Sequence, residues 1–129
     1  MLFLGGNSVK YAWLDEYLLS KKGSFKDFKV EWQWHRYLIR DKMFGAICTD
    51  KYGKPIITIK CDTMVGNLLR SQYTDIVPGY YMNKEHWNSV YLEGEVPDEV
   101  LKNMIDMSYQ LIFNSFSKKI QSEIVLKEK

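Results

Sequence analysis

Residues 83–94, NKEHWNSVYLEG, run straight into Val96-Pro97-Asp98-Glu99, so an aromatic strand, a turn and the opening of a helix follow in immediate succession. Over residues 86–93, Trp87, Ser89 and Tyr91 share one side, and Asn88, Val90 and Leu92 the other. That is the two-residue period of a strand. Residues 93–95 turn the chain. Pro97 suits a first helical position, where its missing N–H is not needed, and Asp98 and Glu99 complement the helix dipole. Leu101, Met104, Ile105, Ser108, Leu111, Ile112 and Ser115 then form one stripe of a long helix. Ser108, in mid-stripe, is expected to return its hydroxyl to the preceding turn. A strand feeding directly into such a helix restricts the chain to a fold in which helices pack on a sheet.

The upstream chain fits that frame. Ser8 caps an expected helix over residues 8–21, with Val9, Trp13 and Tyr17 on a stripe and Gly23 at its left-handed end. The period then changes: Val30, Trp32 and Trp34 alternate with Glu31, Gln33 and His35, and the strand signal continues to Arg40. Asp41-Lys42 reads as a tight turn, residues 43–48 as a second strand, and residues 50–54 as a loop with Gly53 available for positive φ. Pro55 opens a third strand. Asp62 or Thr63 caps a second helix with Val65, Leu68, Leu69 and Tyr73 on its stripe; Gly66 within it implies a close packing contact. Residues 75–79 are read as a connection and Tyr80-Tyr81-Met82 as a short strand. The expected fold is α+β: a single antiparallel sheet of about five strands with helices packed on it, in the order α-β-β-β-α-β-β-α.

The 129 residues suit one domain, 1–129, and a composition of 46% hydrophobic residues can support a core without cross-links. Cys48 and Cys61 do not make a disulfide framework: in a hairpin turning near Tyr52, residue 48 faces about residue 56, too far in register from 61 to bridge. No apolar run is long enough to span a bilayer, and Met1-Leu2-Phe3-Leu4 lacks the basic start of a leader, so a soluble cytoplasmic protein with reduced thiols is expected. No heptad seam is present, which favours a monomer. The net charge of +2 is uneven: residues 21–60 carry +6 and residues 61–116 carry −5. Such asymmetry is found in proteins that meet polyanions and also in ordinary mixed surfaces.

Little in the chain points to catalysis. His35, His86, Cys48 and Cys61 fall in no metal-ligand spacing, so neither metal nor cofactor is expected. Ser89 and Ser108 have no nucleophile motif around them, and no phosphate-binding glycine loop occurs. Asp98-Glu99 are accounted for by the helix start. His86 beside Trp87 is a candidate ligand site, with a cross-strand hydrogen bond and a core indole as the structural alternatives. The basic residues of the meander form a second candidate. Lys42 stands at one hairpin tip and Lys51, Tyr52 and Lys54 at the other, with Arg36, Arg40 and Lys60 on the flanking strands. Cations there can neutralise phosphates, and lysines also protect sheet edges.

Several segments, taken together, resemble the MmcQ/YjbR family of small bacterial proteins. Lys42-Met43-Phe44 with Ala46, then Ile57-Thr58-Ile59-Lys60, Leu68-Leu69-Arg70 and Pro78 match its motifs in order. Met82 through Gly94, with His86-Trp87 and Val90-Tyr91-Leu92, is the strongest match, and Ser108-Tyr109 completes it. The resemblance covers about residues 8–116 and leaves 1–7 and 117–129 as flexible ends. It implies a secretion-chaperone-like α+β domain without catalytic activity, metal or cofactor, and a DNA-binding role described as a double wing. The function expected is therefore non-enzymatic DNA binding through the two basic hairpins. The alternatives are a chaperone-like protein-interaction module using an exposed sheet face, and a small-molecule binder near His86.

Overall fold

The computed structural model describes residues 10–127. Its elements are α1 (Leu14–Leu19), β1 (Ser24–Lys29), β2 (Trp34–Ile39), β3 (Lys42–Thr49), β4 (Pro55–Lys60), α2 (Thr63–Gln72), β5 (Ile76–Pro78), β6 (Trp87–Tyr91), α3 (Asp98–Asn114) and α4 (Lys118–Lys127). All six strands form one antiparallel sheet in the order β1-β2-β3-β4-β6-β5. The class is the α+β expected, with one more strand than the expected order contains and a helix in the lysine-rich tail.

The extra strand is β1. Its apolar residues, Phe25 and Phe28, lie three apart because an edge strand exposed on both faces has no side that must alternate. Residues 30–33, read as strand, are instead the β1–β2 loop: Lys29 O accepts from both Trp32 N (3.1 Å) and Gln33 N (2.8 Å), and Gln33 has φ +60°. The next strand also stops early. Ile39 pairs with Lys42, so Arg40 and Asp41 make the turn and Arg40 takes φ +55°. The short strand expected at residues 80–82 is a loop, and the neighbouring strand is β5, inside the supposed connection. Tyr80 N donates to Ser89 Oγ (3.1 Å) and Tyr81 sits at φ +67°, both incompatible with a ladder. The expected Ser8 cap lies outside the described residues; within them the first helix begins at Leu14, after a turn.

The helices cover one face of the sheet. Leu18, Phe44, Ile57, Ile59, Leu101 and Ile105 are fully buried between them. Ser108 does not bond within its own helix. Its Oγ donates to Phe44 O (2.6 Å) and accepts from Lys60 N (2.9 Å), tying α3 to β3 and β4. Asp62 caps α2, accepting from Met64 N and Val65 N. Leu68 of the expected α2 stripe is 57% exposed, so the helix seats through Val65, Leu69 and Tyr73. Gly66 is buried because a Cβ there would meet Asn88 Nδ2 at 2.6 Å. Cys48 pairs in register with Ile56, and both thiols are free and buried.

A bulge sorts the two faces of β3. Tyr37 pairs with Gly45 but Leu38 pairs with Met43, leaving Phe44 unopposed. Phe44 and Ile47 therefore join the helix-side core, while Met43, Ala46 and Cys48 lie on the opposite face.

Candidate functional site

The face away from the helices is only partly covered. Trp34, Ala46, Cys48 and Ile56 form a small second core there, with Met43, Tyr80, Met82 and Tyr91 packed against it. The cover is the loop of residues 79–86, held by hydrogen bonds to hydroxyl groups. Ser89 Oγ, 2.7 Å from Thr58 Oγ1, accepts from Tyr80 N; Tyr80 and Tyr91 hydroxyls meet at 3.3 Å; and Tyr81 OH donates to Thr49 O (3.2 Å). Tyr91 OH in turn donates to Asp50 Oδ2 (2.8 Å).

Between this loop and the β1–β2 loop lies a groove of about 830 Å³, within the size range of ligand clefts. Trp32, Trp34, Arg36, Met43, Tyr81 and Met82 supply most of its wall. Trp34 is its floor at 8% exposure, with Trp32 edge-on at 5.0 Å and Tyr81 tilted at 6.0 Å between ring centroids. Trp32 and Tyr81 themselves are more than half exposed. Of the three non-glycine residues with positive φ among the described residues, two, Gln33 and Tyr81, line this groove. Backbone strain of that kind concentrates where a fold holds a side chain for use.

The electrostatics are local. Arg36 clasps Asp27 through two hydrogen bonds (2.9 and 2.6 Å), which hold the Asp27 carboxyl below the usual carboxylate range. The one charged wall residue is thus neutralised. Lys29 Nζ stands over Trp32 (5.2 Å), and Lys51 Nζ over Tyr52 (5.5 Å). Burial pushes the Cys48 thiol at the groove wall up to about 12, so it is a packed apolar group and not a nucleophile.

The basic residues singled out in the sequence do not form one patch. Consecutive turns of a meander fall at opposite ends of the shared strand. Arg40 and Lys42 lie at one end of β3, and Lys51, Tyr52 and Lys54 at the other, about 25 Å away at ~3.3 Å per residue. Arg40 pairs with Glu123 (3.1 Å), and Lys42 donates to Ser115 Oγ (2.8 Å) and sits over Phe116. Lys60 lies at the Arg40 end, while Lys54 shares a polar cleft with Asp75 and Glu93. What the topology does bring together is the β1–β2 and β3–β4 loops, with Lys29, Trp32, Lys51, Tyr52 and Lys54. His86 is exposed, with Nδ1 3.4 Å from Thr63 Oγ1. Trp87 is half-buried opposite Lys60, at the end of β6 remote from the groove. Met43, Tyr81 and Met82 carried no sequence signal for a site. Arg36 was singled out among the basic residues, and Trp32 and Trp34 were conspicuous as two tryptophans in alternation. Among the described residues no cluster of His, Cys, Asp or Glu is placed to hold a metal, and no helix is long and apolar enough to cross a membrane.

Fold and groove define an α+β domain with one packed and one open sheet face, the open face lined with aromatic and thioether side chains. The chain belongs to the YjbR family, whose model, described as YjbR, matches residues 19–111. It is 30% identical to the uncharacterized protein YjbR of Escherichia coli K12 over 99 residues, covering 77% of this chain and 83% of that one. It is 39% identical to the uncharacterized protein YyaQ of Bacillus subtilis, covering 59% and 71%. The crystal structure of Deinococcus radiodurans protein DR2400, with a DUF419 domain, superposes with a TM-score of 0.76 at 26% identity, covering 86% of this chain and 84% of that one. A Pseudomonas syringae protein has the same fold, with a TM-score of 0.66 at 22% identity, covering 78% and 97%.

Proposed function

We propose that the protein binds single-stranded nucleic acid on the open face of its sheet, without catalysing a reaction on it. The observation that carries this reading is the pair of exposed rings, Trp32 and Tyr81, flanking a groove floored by Trp34. Bases of a single strand have free faces to stack on such rings, whereas in a duplex those faces are already stacked. Lys29, Lys51 and Lys54, on the two loops that share this end of the sheet, are the cations for the phosphates. Arg36 serves the groove wall, since its charge is met by Asp27.

Anisotropy titrations with a labelled oligothymidylate and with a duplex, at two salt concentrations, test the reading. The single strand binds more tightly and quenches tryptophan fluorescence. Three phosphate contacts give a slope of about −2 in log K against log salt. Trp32→Ala and Tyr81→Ala each weaken binding by about tenfold, the scale of one lost base stack. Equal or tighter duplex binding would overturn the proposal; if Arg40 and Lys42 were then required, the two-tip arrangement would replace it. A second reading, a protein segment on the same face, is favoured by Met43 and Met82, since thioethers adapt to varied apolar partners. It is the reading that stands if neither nucleic acid form binds.

A further inference from the structure

Arg36, the charged residue of the groove wall, uses only one side of its guanidinium. Nε–H and one Nη2–H go to the Asp27 carboxylate (2.9 and 2.6 Å). A guanidinium carries five N–H donors in one plane, and among the described residues no acceptor meets the others. Two of these, one on Nη1 and one on Nη2, leave the end of the group side by side. Asp27 stands directly opposite Arg36 in the register of β1 and β2, so the ladder itself sets the pair and fixes the plane of the fork. The same pairing cancels the charge. What Arg36 offers the groove is therefore two aimed donors rather than a cation, which suits neutral acceptors better than a phosphate.

Arg36 and Trp34 lie on the same face of β2, two residues or ~6.6 Å apart along the strand. A base stacked on the rings around Trp34 thus brings an edge to the fork, and the bases differ in what such an edge carries. Guanine sets O6 beside N7, two acceptors with no donor between them. Adenine sets its amino group beside N7, and thymine sets N3–H beside O4, so each turns a donor towards the fork. Cytosine has O2 beside N3, but O2 adjoins the glycosidic bond and brings the sugar against the fork, and its single ring covers less of Trp32 and Tyr81. We infer that the groove selects guanine, with Arg36 Nη1 and Nη2 donating to O6 and N7 of a base stacked on Trp32 or Tyr81, and with Asp27 as the positioning residue. The inference rests on the reading that the groove takes a single strand, whose unstacked bases present these edges.

The probe is a short labelled oligothymidylate whose central base is replaced, in separate strands, by guanine, adenine, cytosine, hypoxanthine or 7-deazaguanine. Anisotropy with the full chain favours guanine over adenine by about tenfold, the scale of one bidentate base contact. Hypoxanthine, which lacks only the 2-amino group, binds as guanine does. 7-Deazaguanine exchanges N7 for C–H, keeps the Watson–Crick edge, and loses most of the preference. Arg36→Lys keeps a charge opposite Asp27 without the fork, and the guanine-to-adenine ratio falls to about one. Asp27→Ala releases the guanidinium to the phosphates: the ratio falls, while the slope of log K against log salt steepens by about 0.7, the value of one added phosphate contact on a single strand. A merely loosened fold would not steepen that slope. Oligothymidylate binding with no gain from guanine would overturn the inference and leave the reading of the groove standing. So would tighter binding of cytosine than of guanine, 7-deazaguanine equal to guanine, or hypoxanthine as weak as adenine. No binding of any strand would overturn both.

Discussion

Asp50 keeps its charge at a site only 4% exposed. Burial works against that charge. The Lys54 amide, the Tyr91 hydroxyl and the Tyr52 amide, at 2.9, 2.8 and 2.8 Å, outweigh it and hold the carboxyl below the usual carboxylate range. For Tyr91, burial first and then its bonds to Tyr80 and Asp50 push the phenol up, so it remains a donor. One carboxylate thereby fixes the β3–β4 loop and, through Tyr91 and Tyr80, the loop that walls the groove. A depressed folded-state pKa stabilises the protein above the carboxyl's ordinary value of about 4, and that stabilisation fades as pH falls through the folded value. Asp50→Asn should therefore lower the melting temperature markedly at neutral pH and progressively less towards pH 3. Thermal melts across that range check this; a gap independent of pH would show that the charge is not what matters.

At the level of elements, α3 is joined to the sheet by a polar bond within an apolar interface. Ser108 meets the Phe44 carbonyl and the Lys60 amide from a fully buried position. Alanine there strands both groups, and urea unfolding should register a loss of about 1–3 kcal/mol; a loss below about 0.5 kcal/mol would mean water replaces the hydroxyl. The helix was legible in the sequence because its stripe repeats over four turns and its start is marked by Pro97, Asp98 and Glu99. The destination of Ser108 was not, since its partners are 64 and 48 residues away. β3 and β4 were legible for the same local reason as α3, and their register followed from the loop at Gly53. β1 was hidden because it is exposed on both faces. The groove was hidden because its two walls come from loops, brought together by a strand order in which β6 follows β4. Gly66 stood between these cases: its presence implied a close neighbour, and only the fold could name Asn88.

Across the whole molecule, the packed face draws on more of the chain than the motif-bearing middle. Ser117 caps α4, its Oγ accepting from Ile120 N (3.2 Å), and Ile124 is 3% exposed within the main core. A Cβ on Gly23 would meet Ile124 Cγ2 at 2.9 Å, and Gly23 itself has φ +75°. Ending the chain after Ser117 should cost at least the ~2–5 kcal/mol of deleting one buried isoleucine side chain, together with the Arg40–Glu123 pair. Urea midpoints of the full and shortened chains measure it, and equal midpoints would exclude α4 from the core.

The stretch matched by the family model ends at residue 111, before α4 begins. The stretch matched by the family model and the stretch that builds the core thus have different limits in this chain. A segment outside that match has been taken into the interior, and residue 23 is free of a side chain where that segment lies. Drift at either position is then constrained by the other. Relatives that lack the final helix are free to carry a side chain at the site equivalent to Gly23, provided that its backbone there leaves the left-handed region.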